Sequence, residues 1–156
     1  LFQNVSQGGP VRMRIDLKSR ELAERIALNY SQSPDFPAIA PHHVMQPYDE
    51  FWMLGISAAG NPGRKFFNQL VHLSWSESDS KDIYQSPPTR YLGGEPVFTG
   101  APDSDEGIVI CQEFDILDNR SSFLIFHGKN VSSGPIARIT LHQLLYLGFH
   151  AVFKAH

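Results

Sequence analysis

Several segments of this chain alternate apolar and polar residues with a period of two, and others are short apolar runs set between turn residues. Val11, Met13, Ile15 and Leu17 alternate with Arg12, Arg14 and Asp16, which reads as a half-buried strand. Lys18, Ser19 and Arg20 turn the chain. In the next run, Leu22 to Tyr30, Ala, Glu and Leu favour a helix by propensity. Yet Leu22, Glu24, Ile26 and Leu28 share one strand face directly after a tight turn, and we read a strand. Ser31 to Pro47 is a stiff, extended connection set by Pro34, Pro37 and Pro41. Further strands are expected at Phe51 to Ile56, Phe66 to Trp75 and Asp82 to Gln85, then at Glu95 to Phe98 and Gly107 to Ile116, and last at Ser122 to Phe126 and Pro135 to Leu141. Turn-forming segments such as 58–64, 76–81 and 117–120 separate them. About nine or ten short strands and no long helix predict an all-β fold: a sandwich, a barrel or propeller blades.

The last apolar run, Leu147 to Phe153, carries one histidine, His150. Gly148 allows close approach of the backbone, and Phe149 and Phe153 are expected to keep water from the ring. Two readings stand side by side. His150 is a core imidazole satisfied by backbone groups, or it binds a transition metal through a neutral nitrogen.

Composition narrows the class. The 156 residues suffice for one ordinary domain, 42% are hydrophobic, and eleven are Phe. A net charge of −3 gives no basic footprint, so nucleic acid is not an expected partner. The single cysteine, Cys111, lies in an apolar run and reads as a small buried hydrophobe. No apolar run has the length of a membrane-spanning helix and no signal peptide is visible, so the expected location is cytoplasmic or peripheral to a membrane. His42 and His43 read as exposed in the Pro-rich loop, His72 as packed or at an edge, and His127, His142 and His156 as lying at strand ends or the terminus. None has the spacing of a compact zinc site. There is no phosphate loop and no nucleophile elbow.

The order of the segments carries more than any one of them. Arg12 to Asp16 is followed by Asp35-Phe-Pro-Ala-Ile-Ala-Pro41, then Leu70-Val-His-Leu-Ser-Trp75, then Gly94-Glu-Pro-Val-Phe98. The acidic loop ending at Asp105-Glu106-Gly107 enters a long hydrophobic strand, and Gly148-Phe-His150 stands near the end. This ordered set resembles the C-terminal part of the carotenoid oxygenase family, the carotenoid and apocarotenoid cleavage dioxygenases, over nearly the whole chain. The resemblance implies antiparallel blades forming part of a seven-bladed β-propeller, with residues 1–156 as the C-terminal part of one propeller domain whose N-terminal blades lie outside this sequence. It implies an Fe(2+) cofactor held by four histidines, with His150 matching the last ligand and Glu95 a glutamate behind it. The implied partners are dioxygen, a carotenoid, apocarotenoid or related polyene, the missing propeller portion, and a membrane surface touched by the full-length protein.

Neutral imidazoles leave ferrous iron its full positive charge, and a carboxylate behind an imidazole fixes its tautomer. The sequence departs from the family pattern at Asp35, where Glu is usual, and at Ala151, where Gly commonly follows the histidine. With three ligands expected upstream of Leu1, the isolated chain is expected to be inactive. The other reading is a non-catalytic truncated propeller module that binds an apolar ligand or a partner chain.

Overall fold

The computed structural model describes residues 8–59, 66–101 and 104–154. All ten strands among them pair antiparallel. A hairpin of β1 (Val11–Asp16) and β2 (Glu21–Ala27) comes first, its turn held by the Asp16 carboxylate, which accepts the Lys18 and Ser19 N–H groups at 2.7 and 2.9 Å. One four-stranded sheet follows in chain order: β3 (Pro34–Ala38), β4 (Glu50–Gly55), β5 (Gln69–Ser74) and β6 (Asp82–Gln85). The other contains β7 (Arg90–Gly100), β8 (Gly107–Asp115), β9 (Arg120–His127) and β10 (Ala137–Thr140), also as neighbours in chain order. Two successive up-and-down sheets have the form of propeller blades.

Period-two alternation decides which face each residue takes. On β4, Trp52 and Leu54 join Leu92, Phe98, Val109, Cys111, Leu124 and Phe126 in a core between the two sheets. Phe51 and Met53, one residue out of phase, join Leu28, Val71, Leu73 and Trp75 on the opposite face. The first sheet is therefore buried on both faces. Cys111 is buried, and burial pushes its thiol up to about 12, so it remains a protonated, apolar side chain at neutral pH. Polar contacts also join the sheets. Trp52 Nε1 donates to the Gly128 carbonyl at 2.7 Å. The Asp82 carboxylate accepts the Val131 and Ser132 N–H groups, both at 2.7 Å.

Four expectations change, the first being that the strand expected at Glu95 to Phe98 runs from Arg90 to Gly100. Part of the Pro-rich connection is strand β3, which lies at the sheet edge, where a missing N–H costs no ladder bond. Its register breaks between Asp35 and Ala38, where Phe36 adopts φ 54°. The strand expected from Phe66 begins at Gln69. The run Leu147–Phe153 is not a strand; side-chain and backbone hydrogen bonds fasten it to the second sheet. Among the described residues, no helix is long and apolar enough to cross a membrane.

An acid limb in stability follows from Asp115 at the end of β8. Burial would raise its carboxyl, but the Arg90 guanidinium at 2.8 Å and the N–H groups of Leu117 and Asp118 outweigh this and lower it below the ordinary value. A folded-state value below the unfolded one gives stability that is present above the ordinary Asp value and lost as pH falls through the folded one. Thermal melts from about pH 6 to about pH 2 should show Tm falling at the acid end, with a shallower fall in Asp115→Asn. An identical acid limb in the variant would remove Asp115 as its source.

Candidate metal centre

His150 is positioned by the bulged strand beneath it. Between Gly93 and Val97 the β7–β8 register shifts, and Gly94 turns the chain with φ +67°, a conformation that favours glycine. The Gly94 N–H donates to the Gly148 carbonyl at 2.8 Å. Glu95 follows directly and reaches the last segment of the chain. Its Oε1 lies 2.9 Å from His150 Nδ1, and its Oε2 accepts the Ala151 N–H at 3.4 Å.

A second device holds the same segment from β8. Gln112 lies opposite Gly93 in the ladder. Its Nε2 donates to the carbonyls of Tyr146 and Leu145 at 2.8 and 3.2 Å, and its Oε1 accepts the Gly148 N–H at 2.9 Å. From β9, the Ser121 hydroxyl donates to the Leu145 carbonyl at 2.6 Å and accepts the Leu145 N–H at 3.0 Å. Phe36, at the β3 break, packs edge-on against Phe149 with ring centroids 5.5 Å apart and stands 6.5 Å from the His150 ring. Sequence reasoning missed these supports. The one signal for Gln112 was an amide inside the otherwise apolar start of β8.

The structure thus brings His150 and Glu95 together. Tautomer choice then has a physical basis: a carboxylate at Nδ1 favours the proton there and leaves Nε2 as the free lone pair. Among the described residues, His150 Nε2 forms no hydrogen bond and no third ligand-type side chain joins the pair. The pair fits one corner of a ferrous site: a neutral imidazole donor with a carboxylate behind it.

The shielding expected of the phenylalanines is absent. The His150 side chain is 79% exposed, Phe149 75% and Phe153 50%. The reason is local: among the described residues no strand pairs with the segment, and beyond Phe36 of β3 and the second sheet little covers its side chains. The ring borders a groove of about 440 Å³ whose walls include Val97, Ile110, Phe123 and Ile125, the side chains of the second sheet facing away from the inter-sheet core. Asp35 is satisfied locally, accepting the Phe36 N–H at 2.8 Å, and among the described residues it pairs with no histidine. His72 is buried and stacks on Trp52 at 5.3 Å, with Asp82 3.5 Å from Nδ1. His127 and His142 are exposed, and His156 lies outside the described residues. His42 and His43 are half-buried and converge on Asp105, which corrects their reading as simply exposed.

A close fit of the C-terminal segment to β7 gives a test of positioning. A Cβ on Gly93 would lie 2.9 Å from Leu147 Cβ and 2.7 Å from its Cδ2, so the segment would have to shift. Gly93→Ala should leave the sheets intact while loosening residues 145–151, seen as faster amide exchange at Gly148 and Ala151. Unchanged exchange there would show that the segment is not seated on Gly93.

Comparisons with known proteins agree with this architecture. Residues 2–155 match the family model described as Retinal pigment epithelial membrane protein. Resveratrol cleavage oxygenase 1 of Chaetomium globosum is 28% identical over 163 residues, covering 83% of this chain and 27% of the relative. Lignostilbene dioxygenase of Pseudomonas brassicacearum superposes with TM-score 0.76 at 25% identity, over 90% of this chain and 31% of that one. Cobalt-substituted apocarotenoid oxygenase of Synechocystis superposes with TM-score 0.82 at 20% identity, over 96% of this chain and 31% of that one, a likeness of fold. The chain therefore spans under a third of the length of these relatives. With the family match running almost from end to end over blade-like sheets, the chain belongs to the Retinal pigment epithelial membrane protein family, that of the carotenoid oxygenases.

Proposed function

We propose that this chain is the C-terminal part of a non-haem iron(II) dioxygenase that oxidatively cleaves a conjugated double bond of a carotenoid, apocarotenoid or related polyene to two carbonyl products. The observation that carries the reading is the His150–Glu95 pair, 2.9 Å apart, at the rim of an apolar groove of about 440 Å³. In this reading His150 supplies one iron ligand through Nε2. Glu95 is a positioning residue that holds the ring and its Nδ1 proton. The remaining ligands come from further blades of a propeller whose closure also shields the exposed apolar face. Iron bound there would supply the activation of dioxygen. The chain's own residues bind and orient: Val97, Ile110, Phe123 and Ile125 offer an apolar wall to a polyene, and Gln112 and Ser121 hold the segment that presents the imidazole. Relatives named for resveratrol, lignostilbene and apocarotenoid substrates support molecules with a conjugated double bond as the class.

The test compares the isolated chain with the same chain completed by the remaining propeller portion. Iron content and carbonyl products from a polyene and a stilbene are measured in both. Stoichiometric iron and cleavage in the completed protein alone support the proposal. Stable binding of the polyene by a completed protein that takes up no iron would overturn it in favour of a non-catalytic module for apolar ligands.

A further inference from the structure

A second cluster of metal-ligating side chains lies outside the site just described. Pro41–His43 forms a short 3-10 turn in the connection between β3 and β4, with Pro41 at its first position. The turn places two consecutive imidazoles side by side, ring centroids 4.3 Å apart. Backbone bonds hold it: the His43 N–H donates to the Ala40 carbonyl and the Gln46 N–H to the His43 carbonyl, both at 2.9 Å. Asp105 reaches the same point from the β7–β8 connection. The ends of that connection are drawn together where Gly100 pairs with Gly107, two positions with no room for a Cβ beside the opposing backbone. Asp105 Oδ1 lies 3.0 Å from His42 Nε2 and 2.9 Å from His43 Nε2.

Two imidazoles directed at one carboxylate oxygen use only part of what the three groups can do. All three ligand atoms lie within 4.8 Å of one another, the one such group of three among the described residues. A tetrahedral zinc ion with bonds of about 2.0–2.1 Å needs its ligand atoms roughly 3.3 Å apart. The two N–O separations therefore need to open by only a few tenths of an ångström to admit an ion. Two His nitrogens and one carboxylate oxygen form a borderline set suited to zinc(II) and its neighbours. The side chains are partly open to solvent, 22%, 26% and 50% exposed for His42, His43 and Asp105, which leaves room for a water as fourth ligand. The nearby cation, Lys129, is engaged by Glu50 at 3.3 Å, and Asp49 is held by the hydroxyls of Ser74 and Ser76.

We propose that His42, His43 and Asp105 form a second divalent-metal site, of zinc(II) type, separate from the His150 position and linking the β3–β4 connection to the β7–β8 connection. The ligands lie 62 and 63 residues apart in sequence, so a bound ion closes a long loop and stabilises the folded chain at the junction of the two sheets.

The test uses the full chain, stripped of metal and titrated with cobalt(II) and then zinc(II), in parallel with His150→Ala. Expected are one equivalent of cobalt(II) with the visible absorption of a four-coordinate ion, displacement by zinc(II), a rise in Tm reversed by chelator, and no change in His150→Ala. His43→Ala and Asp105→Ala should each weaken binding more than about 100-fold, beyond the loss for an outer partner of a ligand. Should either variant misfold, cobalt(II) in the unaltered chain still reports. It should shift and broaden the ring resonances of His42 and His43 while leaving those of His150 in place. No binding, binding lost in His150→Ala, or shifts confined to His150 would overturn the proposal.

Discussion

Trp52→Ala should destabilise the chain by about 3–5 kcal/mol, the range for removing a large aromatic side chain from a packed interior. Trp52 is 1% exposed, stacks on Phe98 at 4.7 Å and on His72 at 5.3 Å, and donates its indole N–H to the Gly128 carbonyl. One residue of the first sheet thus holds an aromatic ring and a backbone carbonyl of the second. Alanine removes the stack, leaves a cavity and strands the buried Gly128 carbonyl without its donor. Trp52→Phe separates the terms. It restores most of the apolar volume and loses the hydrogen bond alone, at a cost of roughly 1–3 kcal/mol for an unsatisfied buried group. Urea unfolding of the three proteins measures both. A Phe variant as damaged as the Ala variant would show that the hydrogen bond, and not the stacked volume, dominates this junction.

Glu95→Gln should weaken iron retention in the completed protein about 10–100-fold, and His150→Ala should weaken it further. The carboxylate at 2.9 Å from Nδ1 favours the proton at that nitrogen and leaves Nε2 with its lone pair. Glutamine preserves shape and removes the charge; through its amide nitrogen it can even donate to Nδ1 and drive the proton to Nε2, where a metal needs a lone pair. Two readouts follow. Iron per chain in the completed protein reports affinity, and nitrogen chemical shifts of His150 in the chain alone report the tautomer. A variant that keeps both the tautomer and the iron would break the link between Glu95 and the metal. A variant that changes the tautomer and keeps the iron would show that orientation is set elsewhere.

The strands were legible because alternation at 11–16, and short apolar runs bounded by turn residues at 50–55 and 107–115, have the length of strands and not of helices. β3 was not, since three prolines mask a strand whose edge position removes the usual objection to proline. Residues 147–153 misled in the other direction. Their apolar content suggested a strand, but the segment has no partner strand and is held by Gln112, Ser121 and Glu95 instead. The pairing of Glu95 with His150 was read from family likeness; no local pattern would join residues 55 positions apart. The convergence of Asp105 on His42 and His43 was not legible, because it depends on where two connections from different sheets meet.

The amide of Gln112 gives the C-terminal segment an unusual kind of anchorage. Its hold is polar, made by a few directed bonds, and most of the segment's apolar side chains contribute little buried surface. Detachment would therefore expose much less new area than global unfolding, and its free energy would respond less steeply to urea. On the proposed function, a metal ligand carried on such a segment would detach at denaturant concentrations where both sheets remain folded, so loss of the ligand would precede loss of the fold.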